Sequence, residues 1–220
     1  MINEMTKRKY ALKQRAEQQA QTRDRIIKAM IALHEELGPR DTTISAIAER
    51  AGVQRLTVYR HFPDEHSLLS ACSARWITLY PPPDSSQWAE VETPGKRCQI
   101  ALSELYRYYR RTQRMWAKVY RDLNDLPALQ EVMQGFNAYL DQAQQLLLKG
   151  WNPDSDTCLP LQATIAHCVQ FLTWRSLSQA GLTDEEMAIL AKQWIMGVLP
   201  IGSREQGTGD GMQGRENDEK

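Results

Sequence analysis

Gly52 separates two short amphipathic patterns, and no other residue limits what this chain can fold into so sharply. Before it, Ile44, Ile47, Ala48 and Ala51 lie on one face of a helix of about two turns. After it, Val53, Val58 and Phe62 are the inward positions of a second short helix over about Arg55 to Phe62. So abrupt a passage from helix to helix needs a positive φ, which glycine adopts without steric cost. Thr42 or Thr43 can cap the first helix, and Pro63-Asp64 stops the second and caps another, from Asp64 to about Tyr80, that buries Leu68, Leu69, Cys72, Trp76 and Leu79. A longer helix over Arg23 to Leu37 precedes the pair, with Ile26, Ile27, Met30, Leu33 and Leu37 on one face and Gly38-Pro39 as its end.

The outward face of the segment after Gly52 points to a partner. Gln54, Arg55, Thr57, Tyr59, Arg60 and His61 fill nearly every position that does not face inward, and most are donors suited to phosphate oxygens or base edges. A helical hairpin in a core would show the same Ala, Gly and Val spacing, but its surface would carry Glu, Lys and Ala more cheaply. In a helix-turn-helix the first helix braces the second against DNA, so a small residue at the crossing, a glycine in the turn and inward apolar residues are needed. Ala48, Gly52, Val53 and Val58 stand in those places. Charge agrees: the chain is neutral overall, yet residues 1–63 hold 12 Lys and Arg against 7 Asp and Glu.

The stretch T-I-S-A-I-A-E-R-A-G-V-Q-R-L-T-V-Y-R-H-F, Thr43 to Phe62, resembles the TetR family of bacterial regulators, whose pattern T-x-x-x-I-A-x-x-A-G-V-x-x-x-T-x-Y-x-H-F it matches at each fixed position. The flanking segments fit the same family over about residues 23 to 200. The resemblance implies that Thr43 and Thr57 bond phosphates and that Tyr59 and His61 clamp the backbone. It also places Ser45, Gln54, Arg55 and Leu56 near base edges, with Arg55 the candidate for a bidentate contact to guanine. Leu56 replaces a smaller residue frequent there and can touch a thymine methyl. Glu65 stands where many relatives have a phosphate-contacting lysine, a departure that Arg60 or the basic extension offsets.

Everything after Pro81-Pro82-Pro83 also reads as helix, and no stretch shows the alternation of a half-buried strand, so the expected fold is all-α. Helices are expected near Gly95 to Arg111, Gln113 to Leu123, Pro127 to Gly150, Leu161 to Ala180 and Asp184 to Leu199. The domain division is a basic extension at 1–22, a three-helix helix-turn-helix DNA-binding domain at 23–70, a larger helical effector-binding and dimerisation domain at 71–200, and a Gly-rich polar tail at 201–220. The extension, with Lys7, Arg8, Lys9, Lys13 and Arg15, reads as a solvated helix, and a DNA-contacting arm is the alternative.

A single helix-turn-helix reads one half-site weakly, so a homodimer on palindromic double-stranded DNA is expected, through Ile165, Val169, Leu172 and Ser176 together with Met187, Leu190, Ala191, Trp194, Ile195 and Val198. Tyr106, Tyr109, Trp116, Tyr120, Phe136, Phe171 and Trp174 are candidate pocket residues for a small apolar or aromatic effector, although aromatics also fill cores. His167 is added to that set, with a paired core histidine as the plainer reading. Arg107, Arg110, Arg111 and Arg114 read as a solvated face. The expected function is thus a ligand-released repressor; a constitutive or architectural DNA binder, or an interaction protein on the same fold, is the alternative.

No metal-ligand spacing, phosphate loop or nucleophile set beside a base points to an enzyme or a cofactor. Cys72, Cys98, Cys158 and Cys168 are too widely spaced for a metal site and read as buried or idle thiols. With no apolar run of about 20 residues and a charged, Gln-rich start, a cytoplasmic protein is expected.

Overall fold

The computed structural model describes residues 2–200, with side chains from residue 8 onward; the segment 201–220, read above as a tail, lies outside the described residues, as does the side chain of Lys7. Among the described residues there are ten α-helices, one 3₁₀ turn and no strand. They are α1 Ile2–Glu36, α2 Ile44–Ala51, α3 Arg55–His61, α4 Glu65–Leu79, α5 Ser86–Ala89, α6 Pro94–Asp122, α7 Pro127–Leu148, α8 Ser155–Cys168, α9 Phe171–Gln179 and α10 Asp184–Gly197. The described residues form two compact units, one of 2–81 with Thr112–Gly135 and one of Pro82–Arg111 with 136–200.

In the first unit, Ile26, Met30 and Leu33 of α1 join Ile47, Ala48, Val58, Phe62, Leu68 and Leu69 in one buried core. Local chemistry sets the turns. Thr43 caps α2 by accepting the Ala46 N–H, and Gly52 ends it with φ 64° and its N–H shared between the Ala48 and Glu49 carbonyls. Asp64 caps α4 by accepting the Ser67 N–H at 2.7 Å. Leu37 and Leu79, expected on the buried faces of their helices, are exposed instead. Each lies at the end of its helix, where the chain turns away before the apolar stripe can be covered.

A polar brace holds the loop between α1 and α2. The Asp122 carboxylate, 0% exposed, accepts the Arg40 backbone N–H at 3.1 Å and the Arg121 guanidinium at 2.6 and 2.9 Å, while Arg121 Nη2 also donates to the Leu37 carbonyl. Burial acts to raise the Asp122 pKa, but the bonds from Arg121 and Arg40 outweigh it and hold the carboxyl below its ordinary value. Gly38 passes this brace with φ 101°, and a Cβ there would strike Arg121 and Asp122. That position requires glycine on both counts.

The second unit is organised by aromatics and by paired arginines. Trp88 is buried and donates to Glu104 at 2.7 Å. Tyr106 and Tyr109 of α6 donate to the carbonyls of Cys168 and Val169, each at 2.8 Å. Those bonds explain why the single helix expected over Leu161 to Ala180 is two: the carbonyls are turned to tyrosine hydroxyls, and Gln170 is extended between α8 and α9. Conversely, the two helices expected over Gly95 to Arg111 and Gln113 to Leu123 are one, since Thr112 is buried within α6 and neither glycine nor proline interrupts it. The arginines read as a solvated face are partly engaged: Arg110 binds Asp184 at 2.8 Å and Arg107 binds Glu185 at 2.9 Å, tying α6 to α10. Arg97, buried and unremarked in the sequence, donates to the carbonyls of Val91, Glu92 and Lys149.

His34, 4% exposed in the first unit, is pushed down by burial to a pKa of about 4, with Asp122 acting weakly in the other direction. The unfolded chain takes up this proton near pH 6.5 and the folded chain only near pH 4. Stability therefore falls as the pH drops through that window, by about 3 kcal/mol in all. Thermal melts of wild type and His34→Gln between pH 7 and pH 4 will converge in slope outside the window and differ within it; parallel curves throughout would contradict this account of His34.

Candidate nucleic-acid interface

The face carried by α2 and α3 is built from residues that the reader's core leaves free. Val58 and Phe62 are buried, which turns Arg55, Leu56, Tyr59 and Arg60 outward. Gln54 is the N-cap of α3 but makes no side-chain capping bond, so its amide stays available at the helix start. Leu56 is 67% exposed, an unusual place for a large apolar side chain. Ser45 is exposed in the first turn of α2, and Thr57 and His61 are half-buried on α3. Thr43 spends one lone pair as a cap and keeps its hydroxyl hydrogen for another acceptor. His61 is shifted down, first by burial and then by Arg60 and Arg23, so at neutral pH it is a neutral imidazole.

Charge pairing separates this face from its surroundings. Arg50 is held by Glu36 through two bonds of 2.8 and 2.9 Å, Arg40 by Asp125 at 3.0 Å, and Lys28 by Asp24 at 2.7 Å. Arg55 has no hydrogen-bond or ion-pair partner among the described residues, nor has Arg60. A free guanidinium beside free hydroxyl and amide groups on a short helix is suited to a polyanion with patterned edges. Glu65 lies in the first turn of α4, where the helix N-terminus favours a carboxylate, and this gives the acidic residue a structural place. Residues 8–20 of α1 are almost entirely exposed, with Arg8, Lys9, Lys13 and Arg15 around the helix.

A sequence model of the bacterial regulatory proteins of the tetR family matches residues 26–72, which span the end of α1 through the first half of α4. Residues 26–72 therefore carry the amino-terminal domain of the tetR-family regulatory proteins. No curated relative matches the chain. Solved structures show the same fold. A TetR-like transcriptional regulator from Rhodococcus sp. RHA1 aligns with TM-score 0.57 at 14% identity, over 79% of this chain and 93% of that one. The fatty acid degradation regulator FadR from Bacillus halodurans aligns with TM-score 0.52 at 17% identity, over 80% and 94%. RolR in complex with resorcinol aligns with TM-score 0.50 at 19% identity, over 89% and 97%.

The remaining candidate residues are scattered by the fold. Tyr106, Tyr109, Phe171 and Trp174 are packed together in the second unit with no solvent access, Tyr109 meeting the Phe171 ring edge-on at 5.5 Å. Phe136 is buried in the same unit, beside Tyr108. Trp116 and Tyr120 belong to the first unit, and Trp116 lines a cavity there that the others do not reach. His167 is neither in a core nor beside these aromatics: it is exposed near the end of α8, off the face on which Leu161, Ile165 and Cys168 are buried. Of the dimer set, Ile165, Val169, Met187, Ala191 and Ile195 are buried within the subunit, whereas Leu172 is 53% and Trp194 38% exposed, Ser176 is exposed, and Leu190 and Val198 are half-buried.

Proposed function

We propose that this TetR-family regulator is a homodimeric repressor that holds a palindromic operator through α2 and α3 and is released by a small apolar or aromatic molecule. The observation that carries the reading is Arg55 on α3, without a hydrogen-bond or ion-pair partner among the described residues and flanked by exposed Gln54, Leu56 and Tyr59, while Arg40, Arg50 and Lys28 are paired. In this reading Arg55 makes a bidentate contact to guanine. Ser45, Gln54 and Leu56 face neighbouring base edges, and Thr43, Thr57, Tyr59, Arg60 and His61 hold phosphates.

Two supports extend it to a dimer and an effector. Leu172 on α9 and Trp194 on α10 are large, exposed and apolar, as are Leu159 at 71% and Ile189 at 41%, and such surface calls for a partner. A second copy supplies it with two-fold symmetry, which a palindrome mirrors. Among the structures that share the fold, RolR is complexed with resorcinol, so the fold can hold a small aromatic ligand. An effector acts through its unequal affinity for DNA-competent and incompetent arrangements of the two readers.

The double variant Leu172→Asp, Trp194→Asp tests the dimer. Its mass in solution will be that of one chain, and its affinity for the selected DNA will fall at least about 100-fold, because each half-site is then bound alone. A variant that stays dimeric, or a monomer that binds as tightly as wild type, contradicts the reading.

A further inference from the structure

A cavity lies inside the first unit, between α1, α4 and the parts of α6 and α7 that belong to that unit. Leu69 and Trp76 of α4, Val119 of α6 and Met133 of α7 form its apolar walls, with His34, Cys72 and Ser73 as polar margins. Among the described residues, no Lys, Arg, Asp or Glu lines it. The centre of a water-sized sphere can move through about 60 Å³ of it, room for about one small ring.

Two features define what fits. Trp76 is 6% exposed, and its indole N–H is buried without an acceptor among the described residues, a state that costs free energy until an acceptor arrives. His34, with Cys72 Sγ 3.8 Å from its Nδ1, stays neutral at neutral pH through burial. A charged occupant would find no counter-ion in such walls. We propose that this cavity receives the effector, and that the effector is a neutral molecule of one ring presenting a single hydrogen-bond acceptor to the Trp76 indole N–H; this rests on the effector-release reading above.

The walls also connect the cavity to the reader. His34 and Leu69 line a second hollow, shared with Met30, Ile47, Tyr59 and Phe62, directly behind α3. An occupant that displaces His34 or Leu69 therefore disturbs the packing that holds Tyr59 and Phe62, without any further relay.

The test is a titration of full-length ¹⁵N-labelled protein with acetophenone, ethylbenzene and benzoate, followed on the Trp76 indole signal, which is assigned by its loss in Trp76→Phe. Acetophenone is expected to shift that signal and to bind about fivefold to tenfold more tightly than ethylbenzene, which has no acceptor. Benzoate is expected to leave the signal unmoved. Trp76→Phe, followed on its methyl signals, will bind acetophenone and ethylbenzene equally, and Val132→Phe, which fills the cavity, will bind neither. Equal affinities in wild type, a preference that survives in Trp76→Phe, or preferred binding of benzoate would overturn the proposal.

Retention of DNA, measured alongside, separates the two readings. Acetophenone that occupies the cavity while retention is unchanged overturns release and leaves the ligand class standing. A compound that releases wild type and Val132→Phe alike overturns the cavity assignment and leaves release standing.

Discussion

Alanine at Arg55 is expected to weaken binding to the operator by about 2 to 6 kcal/mol, the largest loss from any single substitution on α3. A bidentate arginine contributes about 1 to 3 kcal/mol of discrimination at its base pair, and the dimer on a palindrome proposed above would lose it twice. The structure supports this magnitude because Arg55 has no hydrogen-bond or ion-pair partner among the described residues to give up and is presented from a helix fixed by buried Val58 and Phe62. Arg60→Ala is expected to act differently: in the proposed reading it removes a phosphate contact, so affinity falls about equally on all sequences and the salt dependence becomes shallower by roughly one unit per half-site. Competition binding against single-base variants of the operator distinguishes the two. Discrimination lost at one position with Arg55→Ala, and at none with Arg60→Ala, is the expected pattern.

The second large effect is on stability. Asp122→Ala is expected to destabilise the first unit by about 3 kcal/mol, since it removes a fully buried carboxylate that satisfies the Arg40 N–H and two donors of Arg121. Asp125→Ala, which removes only the exposed partner of Arg40, is the control and is expected to leave stability nearly unchanged. Because the braced loop leads directly into Thr43 and α2, Asp122→Ala will also weaken DNA binding at temperatures where the protein is still folded. Urea unfolding at neutral pH reads the first effect, and DNA titration well below the melting temperature reads the second. Equal behaviour of Asp122→Ala and Asp125→Ala would contradict the role given to the buried brace.

The helix-turn-helix was legible because its determinants are local. Thr43 caps a residue three positions on, Gly52 closes its own helix, and Asp64 caps Ser67; each is a relation between near neighbours that spacing records. The brace was not legible, because Arg40 and Asp122 are 82 residues apart and neither sits in a pattern. The break between α8 and α9 was hidden for the same reason: its cause is a pair of tyrosine hydroxyls from α6, some 60 residues away. His167 lies off the face on which Leu161, Ile165 and Cys168 are buried, so an apolar run in the sequence does not by itself bury it. The aromatics of the second unit were visible as a set, but composition does not record whether rings enclose space or fill it. Here Tyr109, Phe171 and Trp174 fill it, and the cavity lies instead beside Trp76 and Trp116.

The central claim is that α3 reads sequence, and recovery of DNA tests it most directly. Purified protein is incubated with fragmented genomic DNA of its source, and the retained fragments are sequenced beside those retained by Tyr59→Ala. A shared palindromic motif, enriched by wild type and lost with Tyr59→Ala, is the predicted result. Retention without a motif, or the same fragments kept by both proteins, would contradict it.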